Sequence, residues 1–261
     1  MPYAEVRDTR TWYELRGEGP PLLFISGSGG PLWSMPGTLD PLIERFRVLA
    51  YDKRGLGRCE APATTWEMAD FADDAAVLLD VVGWDRCDVV GASFGGMIAQ
   101  ELALRHPQRV AKLVLCCTSP GGDFASYPLH TLLDLPSEER ASRRVAITDL
   151  RNDPAWQAAH PEEYAALAER YAGGYASEED EQRHRRLLAA RSRLDTIERL
   201  PRIASPTLIA GGRHDGIAPL RNQELLRERI PGSRLELFEG GHGFMREDPR
   251  ALEVIADWLT A

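Results

Sequence analysis

The amino-acid sequence predicts an α/β fold: a mostly parallel central sheet with helices on both faces, interrupted once by a helical insertion. Three observations carry this expectation. Short apolar runs of strand length recur in the first and last parts of the chain. Stretches with apolar residues at helical spacing lie between them. From about residue 121 to 199 the strand signal disappears, and charged, Ala-rich helical segments take over. Buried strands alternating with helices are the pattern of a parallel sheet protected on both sides.

Taken in order, Tyr3–Val6 and Thr11–Leu15 predict an antiparallel hairpin at the sheet edge. Strands follow at Pro21–Ile25, Phe46–Tyr51, Cys87–Val90 and Leu113–Cys117. Phe71, Ala72, Ala75, Leu78, Leu79 and Val82 mark a helix over Met68–Val82, and a second runs from about Phe94 to Arg105. Inside the insertion, helices are expected at Glu162–Tyr171 and Glu178–Leu194. The alternation resumes with a strand at Pro206–Ala210, a helix at Leu220–Arg229, a strand at Leu235–Phe238 and a closing helix from about Pro249 to Leu259. The simplest division is a core of residues 1–120 and 200–261 with a lid of residues 121–199. Such a lid would stand over the C-terminal edge of the sheet, where open α/β sheets place their ligands.

Composition excludes several classes. With 40 acidic against 31 basic side chains the net charge is −9, and a surface of that sign repels phosphate backbones, so no nucleic-acid partner is expected. No apolar stretch approaches the ~20 residues of a membrane span, and the N-terminus lacks the basic start and apolar run of a signal peptide, so no membrane partner is expected. The four cysteines, Cys59, Cys87, Cys116 and Cys117, form no Cys-x-x-Cys pair. A reduced, cytoplasmic protein without structural disulfide or metal site is the expectation. The sequence does not reveal the oligomeric state.

The chemistry gathers around Gly91-Ala92-Ser93-Phe94-Gly95. A Gly-x-Ser-x-Gly match arises by chance roughly 0.09 times in a chain of this composition, so its context decides. The motif follows the Asp88-Val89-Val90 run and precedes a helix carrying Met97, Ile98, Ala99, Leu102 and Ala103. A strand–serine–helix turn of this kind strains the backbone and presents the hydroxyl. The helix start also aims amide hydrogens and a positive dipole end at it.

A serine hydroxyl needs a base to take its proton. Of six histidines, His106 precedes Pro107 at a helix end and is expected to be structural, and His130, His160 and His184 lie in the insertion. His184, within Gln-Arg-His-Arg-Arg, is expected on a solvated helix face. His214 neighbours Asp215 in a loop, and His242 sits in Gly240-Gly241-His242-Gly243-Phe244 after the last strand. The placement of His242 makes it the candidate base. Asp215, just past a strand and 27 residues before His242, is the candidate orienting carboxylate. An oxyanion hole would use the backbone N–H of Phe94, with a second donor from Ser26-Gly27-Ser28-Gly29-Gly30 after the Pro21–Ile25 strand. That Gly-rich loop is a poor phosphate cradle, because no Gly-Lys-Ser/Thr follows.

The loop at Ser26–Gly30, the run Asp52-Lys53-Arg54-Gly55-Leu56-Gly57-Arg58-Cys59, the Ser93 elbow and the Asp215 and His242 loops together make the whole chain resemble the α/β-hydrolase fold superfamily. It is most similar to the branch of lid-bearing serine esterases, enol-lactonases and C–C hydrolases. The order Ser, Asp, His matches that fold. The resemblance implies that the Asp52–Cys59 run braces the oxyanion loop, with Cys59 in place of a usual serine. It also implies that Ser26 replaces a histidine that usually shapes the loop, and that Ser28 is the second oxyanion donor.

Hydrolysis of a small-molecule carboxylic ester or lactone is therefore expected, through an acyl-enzyme on Ser93 and without a cofactor. Two alternatives use the same fold. One is C–C bond hydrolysis or a cyclase or lyase step in natural-product metabolism, and the other is a ligand receptor without turnover. Serine at the elbow argues against haloalkane dehalogenase chemistry, which uses aspartate there. Trp33, Phe124, Tyr127, Leu132 and Trp156, with Leu129, Leu133, Tyr164, Tyr171 and Tyr175, are candidates for a pocket that would favour an apolar or aromatic substrate.

Overall fold

A computed structural model describes residues 3–29, 38–173, 175 and 177–261. Its strands are β1 (Tyr3–Val6), β2 (Thr9–Arg16), β3 (Pro21–Ile25), β4 (Arg47–Tyr51), β5 (Cys87–Ala92), β6 (Val110–Cys116), β7 (Thr207–Gly212) and β8 (Arg234–Phe238). They form one sheet in the order β1-β2-β4-β3-β5-β6-β7-β8. β1 and β2 pair antiparallel, as do β2 and β4, and every other pairing is parallel. The predicted α/β class and edge hairpin are thus the observed ones.

The helices are α1 (Asp40–Ile43), α2 (Met68–Val81), α3 (Phe94–Arg105), α4 (Ser137–Thr148), α5 (Pro154–Ala159), α6 (Pro161–Ala172), α7 (Glu178–Ser192), α8 (Leu220–Arg229), α9 (Phe244–Glu247) and α10 (Ala251–Thr260). Caps start several of them where the sequence supplies an acceptor. Asp153 accepts from the Trp156 amide to open α5, and Ser177 accepts from the Asp180 amide to open α7.

Strand side chains alternate between two cores, as a pleat requires. Leu23, Ile25, Val89, Leu113, Leu115 and Ile209 pack with α2, α3 and α8 on one face. Leu22, Phe24, Val90, Val114, Leu208 and Ala210 pack with α1, α9 and α10 on the other. All twelve are buried, which is why these strands read as continuous apolar runs and not as half-polar ones.

The segment between β6 and β7 holds α4 to α7 and no strand among the described residues. Its two ends are tied together at a neck. The Gly122 amide donates to the Leu194 carbonyl at 3.0 Å, and the Thr196 amide donates to Pro120 at 2.9 Å. The Thr196 hydroxyl fixes the neck to α3 through Gln100 Oε1 at 2.8 Å.

Candidate functional site

Ser93 stands between β5 and α3 with φ 55° and ψ −116°. A non-glycine residue in that region carries about 1–3 kcal/mol of strain and persists only where its surroundings hold it. Here the Ser93 amide donates to the Cys116 carbonyl at 2.8 Å. The Ser93 carbonyl accepts from the Thr118 hydroxyl at 2.7 Å and the Gly96 amide at 2.9 Å. The flanking glycines permit the turn. A Cβ on Gly95 would fall 1.9 Å from the Ile25 carbonyl oxygen, and one on Gly91 would fall 2.4 Å from that of Gly95.

The three candidate residues meet. Ser93 Oγ lies 2.9 Å from His242 Nε2, and His242 Nδ1 lies 2.8 Å from Asp215 Oδ2. Asp215 is buried, and its other oxygen, Oδ1, accepts the amides of Ile217 and Ala218, both at 2.8 Å. The carboxylate is therefore locked in one orientation before it reaches the imidazole.

Helix α4 supports both loops. The His242 amide donates to the Thr148 carbonyl at 2.7 Å, and the Gly216 amide donates to Ile147 at 3.1 Å. Leu150, just past the helix, donates to the His214 carbonyl at 2.9 Å. The inserted helices are thus fastened to the loops that carry Asp215 and His242.

Phe94, the first residue of α3, has an N–H without an intrahelical partner, as every helix start does. Gly27, Ser28 and Gly29 line the same cavity as Ser93 and His242. Beneath this loop, buried Lys53 donates to buried Ser26, Nζ to Oγ at 2.6 Å. The serine that stands where a histidine is usual is therefore reached by a long lysine from the Asp52–Cys59 run. Cys59 is buried against Thr11, and burial pushes its thiol up to about 11.

Burial pulls the Lys53 ammonium from 10.5 down to about 8, against the attraction of Asp52. Between those two pH values the unfolded chain keeps a proton that the folded protein releases, so folded stability rises with pH there. Melting temperatures measured from pH 7.5 to 10.5 should show wild type gaining on Lys53→Met above pH 8. Parallel curves would mean that the buried ammonium is not destabilised.

Two adjoining chambers share lining residues, and one of them holds Ser93. The inner one, about 180 Å³, is lined by Ser28, Ser93, Cys117, Leu129, Arg144 and His242 among others. The outer one, about 250 Å³, shares Ser28, Gly29, Leu129 and Arg144 and continues along α4, α6 and α7. Leu132, Leu129, Leu133, Tyr171 and Tyr175 line it.

Phe124, Tyr127 and Trp156 line neither chamber. Phe124 sits at the neck, bridged to Gly121. Tyr127 packs against the core, and its amide donates to Ile217. Trp156 stacks on His160 at 4.9 Å. Trp33 lies outside the described residues. His184 corrects a further expectation, since it forms part of the outer chamber wall, where burial and then Arg144 bring its pKa down to about 4. His106 is structural, 2.8 Å from Asp73. Among the described residues, no group of three or more His, Cys, Asp or Glu side chains could hold a metal ion, and no helix is long and apolar enough to cross a membrane.

Comparisons with known proteins agree with the fold. A protein of Azorhizobium caulinodans with the provisional name carbamate hydrolase RutD is 31% identical over 253 residues, 95% of this chain and 94% of that one. The 2-hydroxymuconate semialdehyde hydrolase of Pseudomonas putida is 31% identical over 89% of this chain and 84% of its own. The crystal structure of a hydrolase from Pseudomonas aeruginosa PA01 superposes with a TM-score of 0.82 at 26% identity, covering 99% of this chain and 98% of the other. The family description for the alpha/beta hydrolase fold matches residues 20–249, and the chain belongs to that family.

Proposed function

We propose that the protein hydrolyses a carboxylic ester or lactone of a small molecule through an acyl-enzyme on Ser93. The observation that carries this reading is the pair of contacts on one imidazole, 2.9 Å to Ser93 Oγ and 2.8 Å to Asp215 Oδ2. His242 takes the hydroxyl proton as Ser93 attacks the carbonyl, and Asp215 holds the tautomer and stabilises the imidazolium. The backbone N–H groups of Phe94 and Ser28 receive the oxyanion. The imidazolium then gives its proton to the leaving alcohol, and a water activated by the same histidine releases the acid.

Residues 121–199 act in this reading as a lid, supported by their place over both chambers. The four free, buried cysteines support a reducing, cytoplasmic setting. A carbamate presents a carbonyl to the same attack, so the relative named for carbamate hydrolysis supports the reaction class. The relative named for semialdehyde hydrolysis supports C–C cleavage as a second reading on the same residues.

The test pairs a fluorophosphonate probe with activated aryl esters. The probe should add its mass to the Ser93 peptide, and the esters should yield acid plus alcohol with one water taken up. An unlabelled Ser93 together with no ester turnover would overturn the proposal. Product formed without added water would favour the cyclase or lyase step.

A further inference from the structure

Three arginines stand around the outer chamber: Arg140 and Arg144 on α4, and Arg170 near the end of α6. Each described arginine that forms an ion pair finds its carboxylate within about 4 Å, as Arg143 does with Glu139 and Arg185 with Asp134. Arg140, Arg144 and Arg170 have no such partner and no side-chain hydrogen bond among the described residues. Unpaired arginines elsewhere, such as Arg47, Arg202, Arg221 and Arg227, are exposed to water, whereas Arg140 and Arg144 are half-buried in a cavity wall. Arg140 and Arg144 are also four apart on one helix, a like-charge spacing that destabilises α4 unless an anion lies between.

Arg144 is the central one. It lines both chambers, and so shares a wall with Ser93 and His242. Its guanidinium lies 5.2 Å from the centre of the Tyr171 ring, a stacking contact that orients the fork while leaving its N–H donors free. Burial lowers its pKa, against the phenols of Tyr171 and Tyr175. Its position is set from below, because Thr148, one turn further along α4, accepts the His242 amide. His184 beside it is neutral at pH 7 and adds no further positive charge. A cleft walled by one sign of charge concentrates ions of the other sign.

Resting on the esterase reading above, we propose that the substrate carries a carboxylate beside its ester or lactone. Arg144 takes that carboxylate, with Arg140 and Arg170 behind it. The arginine fork matches two carboxylate oxygens at once, and Leu129, Leu132 and Leu188 contact the carbon chain between them and the scissile carbonyl.

The test compares 4-nitrophenyl hemi-esters of the dicarboxylic acids from succinate to suberate with neutral 4-nitrophenyl esters of matched length. Acetyl esters of ω-hydroxy acids put the carboxylate on the alcohol half. In one of the two series, kcat/KM should favour the anionic member at a particular chain length. Arg144→Met should cut that anionic-to-neutral ratio about 10- to 100-fold, and Arg144→Lys should restore part of it. Arg143→Met, one residue along and outside the chambers, should leave the ratio at the wild-type value. Using a ratio cancels any general loss of activity.

A ratio at or below one in wild type, unmoved by Arg144→Met, would overturn the subsite while leaving Ser93 hydrolysis standing. Should no ester turn over, calorimetry with adipate reads the subsite alone. Binding weakened tenfold or more in Arg144→Met supports it, and no binding to wild type overturns it. Binding of inorganic phosphate without adipate would likewise overturn the carboxylate assignment.

Discussion

Alanine at Ser93 or at His242 should each lower kcat by roughly 10⁶, and alanine at both should lower it no further. The two side chains act as one unit, joined by the 2.9 Å contact between Oγ and Nε2. Without His242 the hydroxyl keeps its proton and is a poor nucleophile. Without Ser93 the imidazole has no serine proton to take. What remains, about 10³–10⁴ over the reaction in water, comes from the oxyanion donors and from binding, which neither substitution touches. A thermodynamic cycle on kcat for an aryl ester therefore measures their dependence directly. If the losses multiply, so that the double variant is slower than either single by orders of magnitude, the residues act independently and the proposed chemistry is wrong.

The elbow, the order Ser–Asp–His and the sheet were legible because each is a local signal. A strand buried on both faces prints as an apolar run, as Leu22–Ile25 does, and a forced turn prints as glycines around Ser93. The pairing of Lys53 with Ser26 was not legible. It joins residues 27 apart whose contact depends on β3 lying beside β4. The chamber wall escaped for a different reason. Arg140, Arg144 and His184 sit on charge-rich helices that look solvated by composition, yet they are half-buried in a cavity wall. The aromatic residues misled in the opposite sense. Phe124, Tyr127 and Trp156 have the right chemistry for a pocket, but they pack the neck, the core and a neighbouring histidine. Apolar character indicates burial without saying against what.

Asparagine at Asp215 should lower kcat by about 10⁴ with little change in KM, and geometry says why so small a change costs so much. Asp215 Oδ1 accepts two backbone amides, from Ile217 and Ala218, both at 2.8 Å. An amide oxygen can satisfy those two donors, but an amide NH₂ would clash with them, so the asparagine is held with its oxygen on that side. Its NH₂ then points at His242 Nδ1, 2.8 Å away, and donates to it. The imidazole must answer as an acceptor at Nδ1, which moves its own proton to Nε2. That nitrogen faces Ser93 Oγ and can no longer take its proton. The side chains keep their places while the base is blocked by its tautomer. A crystal structure of Asp215→Asn superposing on wild type, together with the rate loss, would match this account. Asp215→Ala distinguishes tautomer from support. It leaves the two amides unpaired in a buried site and should lower the melting temperature, which the isosteric asparagine should largely preserve. If Asp215→Asn instead retained more than a tenth of wild-type kcat, the carboxylate would be holding the loop and not the proton.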